Sequence, residues 1–88
     1  GPRPRPAAAQ AFGEARRMVI ANNHAGCIEV LQRAPQTAKN MELLITCFRA
    51  AGRMAEQLDA MQRYVQRFQT GRKADDYRNA LQAAGRGP

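Results

Sequence analysis

Tryptophan is absent from this 88-residue sequence, and its remaining aromatics are two Tyr and three Phe. The core must therefore be built from Ala, Leu, Ile, Val and Met, whose small or flexible side chains let helices stack closely. No apolar run approaches the ~20 residues a transmembrane helix needs. The best candidate, Met41 to Phe48, is interrupted by Glu42 and Thr46. The first residues lack the apolar stretch of a secretory signal. Membrane insertion and export thus find no support in the sequence.

Cysteine is nearly as scarce. Cys27 and Cys47 are the only two, and their spacing fits no zinc or redox motif. Two cysteines also make a poor disulfide framework, so both are expected as small buried side chains. A reversible disulfide or a reactive thiol is the alternative. Free thiols favour a reducing compartment, and the expected location is the cytoplasm.

Catalytic groups are equally sparse. His24 is the sole histidine; it stands at a turn and is expected as a half-buried packing residue. No second His, no Gly-rich phosphate loop and no paired carboxylate in an apolar setting accompanies it. The expectation is a protein that is not an enzyme, with no cofactor and no metal.

Acidic residues are outnumbered, seven Asp and Glu against 14 Lys and Arg, for a formal net charge of +7. The cations are dispersed along the chain, which reads as an Arg-rich solvated surface. The functional alternative is attraction to an acidic partner, nucleic acid or anionic lipid.

What is present is helical periodicity. Residues 1–6 read GPRPRP, whose alternating prolines forbid a helix and favour an extended, disordered tail. The leading Gly-Pro also matches the scar a protease leaves on a fusion protein. From Ala7 the pattern changes. Ala8, Ala11, Ala15, Met18 and Val19 form one apolar stripe, and Asn22-Asn23 ends it. Cys27, Ile28, Leu31 and Ala34 form a second, which Pro35 stops. Thr37 is a candidate N-cap for a third helix carrying Met41, Leu44, Ile45 and Phe48, widened by Leu43 and Cys47. So apolar a helix is expected at the centre. A fourth places Met54, Leu58, Met61, Tyr64, Val65 and Phe68 on one face. A fifth carries Ala74, Tyr77, Ala80, Leu81 and Ala84 before Gly85. The fold class expected is all-α, five antiparallel helices across residues 7–85, with a disordered end at 86–88.

The chain also repeats itself. Ala21 to Ala34 aligns with Ala51 to Tyr64 at an offset of thirty: Ala25 falls on Ala55, Ile28 on Leu58, Leu31 on Met61, and Gln32-Arg33 on Gln62-Arg63. Phe48-Arg-Ala-Ala-Gly-Arg53 recurs as Leu81-Gln-Ala-Ala-Gly-Arg86 at an offset of thirty-three. The fifth helix therefore repeats the third. Repeat arrays need a polar cover at the end of the stack. Arg72, Lys73, Asp75, Asp76, Arg78 and Asn79 suit the outer face of such a cap.

Gly52, Ala55, Leu58, Met61 and Tyr64, with Asn22, Ala25, Cys27, Ile28, Leu31 and Ala34 before them, resemble the tetratricopeptide repeat (TPR) pattern. The likeness covers about Ala8 to Gly85, as two helix–turn–helix units plus a C-terminal capping helix. Met61-Gln-Arg-Tyr-Val-Gln-Arg-Phe68 is similar to second helices in TPR segments of large bacterial proteins, including some serine/threonine kinases. The sequence departs from that family in its shorter period, against about 34 residues. Ala11 and Gln57 also stand where an aromatic and an Ala are usual.

The resemblance implies a scaffold or adaptor that binds a peptide or helix of a protein partner in a shallow groove. The groove would be lined by Arg16, Val19 and Ile20 on the first helix, Glu42, Thr46 and Arg49 on the third, and Asp75, Arg78 and Asn79 on the fifth. Arg16 and Arg49 would pair with partner carboxylates, which makes an acidic partner one candidate. Self-association into a homodimer is another. The rival class is nucleic acid, with Arg16, Arg17, Arg33, Arg53, Arg63, Arg67, Arg72 and Lys73 as phosphate contacts. No base-stacking aromatic cluster accompanies them.

Overall fold

The structure is a computed structural model that describes residues 7–87; the Pro/Arg tail expected at 1–6 lies outside them. The described residues form five α-helices and no strand: α1 Ala8–Ile20, α2 His24–Gln32, α3 Ala38–Ala50, α4 Met54–Arg67 and α5 Arg72–Ala83. No helix is long and apolar enough to cross a membrane.

The boundaries follow from local chemistry. Three helices end with the same device. Asn22, Gly52 and Gly85 take positive φ values of 59°, 72° and 76°. At each, the next residue's N–H reaches back to a carbonyl five residues earlier: Asn23 to Met18, Arg53 to Phe48 and Arg86 to Leu81. The left-handed residue satisfies carbonyls that the helix end would leave open. The offsets between these ends are the thirty and thirty-three read from the sequence. The internal repeat is thus a repeat of backbone geometry.

Helix starts are capped by side chains where the sequence offers one. Asn23 Oδ1 accepts from the Gly26 N–H at 2.9 Å, and Thr37 Oγ1 accepts from the Asn40 N–H at 3.2 Å. Such caps contribute ~1 kcal/mol each. Pro35 between them blocks continuation of α2.

Each helix packs against the next, and α1 also packs against α3. Helix α3 therefore touches α1, α2 and α4. It buries Met41, Leu44, Ile45, Cys47 and Phe48, which explains why it is apolar on more than one side. The core continues through Ala11 and Ala15 of α1, Cys27, Ile28 and Leu31 of α2, Ala60, Met61 and Tyr64 of α4, and Ala74, Tyr77 and Leu81 of α5. Buried Asn40 fastens the N-terminal end: its side-chain N–H group donates to the Pro35 carbonyl at 2.9 Å and to the Ala8 carbonyl at 3.3 Å.

Four expectations need correction. Cys27 and Cys47 are buried as expected, but they are joined by a disulfide that ties α2 to α3. Helix packing sets their two positions face to face, which their separation along the chain does not disclose. Ala25 and Ala55, aligned as the small packing residue of each unit, are exposed. The close approach falls instead on Gly26, where an added Cβ would meet Met18 Sδ at 2.4 Å. Met54, assigned to the inner face of α4, is 67% exposed at that helix's first residue. Arg86 is not part of a loose end: its guanidinium pairs with Asp59 and donates to Gln62 Oε1 on α4.

Two stability outcomes follow. Leu44→Ala removes a side chain that is 5% exposed in the central helix, and should cost ~2–5 kcal/mol in urea unfolding. Reducing the disulfide opens a loop spanning a sequence separation of 20. That should lower unfolding free energy by about 3 kcal/mol, read as a shift in urea midpoint with and without reductant.

A candidate docking groove between α3, α4 and α5

Helices α3 and α5 make no close backbone approach among the described residues, although each packs on α4. The gap at their C-terminal ends is an open groove of ≈ 490 Å³. Arg49 and Gly52 lie at the end of α3. Met54, Gln57, Leu58 and Met61 come from α4, and Ala80, Ala83 and Ala84 from the end of α5. Its lining is apolar except for one guanidinium and one amide.

The repeat shows how this interface differs from the one before it. At the offset of thirty, Gln57 stands in the place of Cys27; at the offset of thirty-three, Ala80 stands in the place of Cys47. The disulfide closes the α2–α3 interface at that level. There Ile28 and Leu31, the counterparts of Leu58 and Met61, are 2% and 3% exposed. In the α4–α5 interface the same level has no covalent tie and a methyl group facing an amide. Leu58 and Ala80 there are only partly buried.

Of the nine residues expected to bind a partner, Arg49 alone lines this groove. Arg16 and Ile20 are exposed on α1, Ile20 at 79%, while Val19 packs partly against the core. Thr46 is exposed, and its hydroxyl donates to the Glu42 carbonyl one turn back. Asp75, Arg78 and Asn79 are exposed on α5. Arg78 is held within its own helix start, pairing with Asp75 and donating to the Gln69 carbonyl.

Glu42 has a different position from the one expected. It is half-buried, and its carboxylate accepts a hydrogen bond from the Tyr64 hydroxyl of α4 at 2.9 Å. The Tyr77 ring of α5 meets Tyr64 edge-on at 4.9 Å between centroids, and Phe68 lies tilted against it at 5.1 Å. Glu42 thus joins α3 to an aromatic cluster of α4 and α5. Burial, aided by Glu42, pushes the Tyr64 hydroxyl up to about 12. Burial and the same nearby carboxylate push Tyr77 to about 12.

Among the other groove residues, Met54, Leu58, Met61, Ala80 and Ala84 belonged in the sequence to the core stripes of α4 and α5. Ala80, Ala83 and Ala84 sit at i, i+3 and i+4 on α5, and such spacing marks a common face. Whether that face is covered or open depends on a neighbouring helix, and periodicity carries no information about it. Among the described residues, no three His, Cys, Asp or Glu side chains converge to hold a metal ion.

The tyrosines make stability pH-dependent. Unfolded Tyr titrates near ~10, whereas these titrate near 12 when folded. Their neutral forms are favoured by the fold, so this contribution is intact below ~pH 10 and is lost as pH rises through about 12. Tyr64→Phe should cost about 1 kcal/mol at neutral pH and reduce the alkaline loss, as read from urea midpoints across a pH series.

Comparison with protein-family models, with curated proteins and with solved structures returned no match.

Proposed function

We propose that this chain is a non-catalytic protein-interaction module of TPR-like helical repeats, which holds a peptide or helix of another protein in the α3–α4–α5 groove. The observation that carries this reading is the asymmetry of the two equivalent interfaces. One is sealed by a disulfide; the other is left open over apolar side chains with a guanidinium at its edge. A concave site with mostly apolar lining and few polar groups has the character of a binding site. The polar outer face of α5 supports its role as a cap.

The cytoplasmic location expected from the sequence goes with the thiol form of Cys27 and Cys47. The bonded form goes with an oxidising compartment. Thiol trapping of the protein taken directly from its cells decides between them.

A polyanion-binding reading draws support from Arg63, Arg67, Arg72 and Lys73. They are exposed on either side of the α4–α5 turn and form no ion pair among the described residues. Generic DNA or RNA binding with a steep salt slope would favour that reading. Self-association is the remaining alternative, and light scattering across a concentration series measures it.

Arg49→Glu should abolish partner capture in a pull-down read by mass spectrometry. Arg49→Ala should weaken capture and leave the thermal midpoint nearly unchanged, since Arg49 is an exposed helix residue. Undiminished capture by both variants would remove the groove from the interaction.

A further inference from the structure

We propose that the α3–α4–α5 groove receives an acidic amphipathic helix of another protein. Its apolar face would lie on Met54, Leu58, Met61 and the alanine stripe, and one of its carboxylates would pair with Arg49. This rests on the interaction-module reading and names the chemistry of the partner.

Charge decides the sign. The Arg49 side chain forms no ion pair or hydrogen bond among the described residues, while every carboxylate of α3 and α4 is already engaged. Glu42 accepts from Tyr64, Glu56 pairs with Arg53, and Asp59 pairs with Arg86. Arg53 is held too, bidentate to Glu56 at 2.6 and 2.7 Å and stacked 5.2 Å from the Phe48 ring. Arg49 is therefore the one charged group lining the groove, and nothing within α3 or α4 neutralises it. A guanidinium at the edge of an apolar surface gains most from a carboxylate, which it can engage through two parallel N–H bonds.

The other occupants fit less well. A second copy of the chain would bring two net charges of +7 together. A nucleic acid would meet one cation and no aromatic face among the lining residues. An acidic protein segment matches both the charge and the apolar floor.

Shape points to a helix. Ala80, Ala83 and Ala84 place only methyl groups on the α5 wall, so a neighbouring backbone can approach closely. Met54 and Met61 are flexible and polarisable, and adapt to the side chains that enter. A helix laid in such a groove uses anchors at i, i+3, i+4 and i+7.

Fluorescence anisotropy of the full chain with its disulfide intact tests this with three labelled peptides. One carries a Leu/Ala face and Glu elsewhere. The second has the same face with Lys in place of Glu. The third has the composition of the first, scrambled to destroy the face. The acidic amphipathic peptide should bind at least ~10-fold more tightly than either control, a difference of about 1.4 kcal/mol. Raising salt should weaken it only in part, because the apolar contacts remain. Arg49→Ala should weaken it about tenfold. Arg49→Glu should shift preference to the basic peptide. Ala83→Gln changes an exposed helix position to another good helix former, and should narrow the groove and weaken binding with the thermal midpoint unchanged. Equal binding of the acidic and scrambled peptides, or insensitivity to both Arg49 variants, overturns the proposal. The interaction reading fails separately, when the wild-type chain captures no protein beyond what bare beads retain.

Discussion

Burial of α3 is the constraint on which the rest of the structure depends. Its apolar residues run more than halfway round the helix, and no single neighbour could cover them. It is covered by α1 and α2 on one side and α4 on the other. Three specific polar and covalent ties are also made to it. The disulfide reaches it from α2, Asn40 holds it to the start of α1 and to the α2–α3 connection, and Glu42 holds Tyr64 of α4. Removing apolar volume from α3 therefore loosens both halves at once.

The two interfaces between successive units are built from the same pattern and finished differently. Cys27 and Cys47 join α2 to α3, while Gln57 and Ala80 at the same level line the groove. The lower part of α4–α5 is closed by Tyr64, Phe68 and Tyr77. The upper part is spanned only beyond the groove, by Arg86 reaching Asp59 and Gln62. The result is one covalently tied interface and one without a covalent tie that borders the groove. Space of that kind can admit a partner without unfolding anything.

Charge is distributed on the same logic. Ion pairs hold Arg33, Arg53, Arg78 and Arg86 close to their own or adjacent helices. These are largely exposed pairs and contribute ~0–1 kcal/mol each. Their effect is to consume the carboxylates. The positive excess is left on residues such as Arg49, which forms no ion pair among the described residues.

The sequence by itself determined the five helices, their ends and the apolar stripes. These depend on interactions within a few residues: Asn22, Gly52 and Gly85 accept left-handed backbone, Thr37 caps α3, and Pro35 stops α2. The repeat was legible too, because equal backbone ends require similar residues at equal spacing. The site was legible only in Arg49. Glu42 read as a groove residue and lies against Tyr64, since a helix position does not say which neighbour it faces. Cys27 and Cys47 read as two buried thiols, and only the packing of α2 on α3 made them a bond. The groove was invisible for the same reason. Met54, Leu58, Met61 and Ala80 have the spacing of core residues, and whether core-type residues are covered is decided by the distance between α3 and α5, which no local pattern encodes.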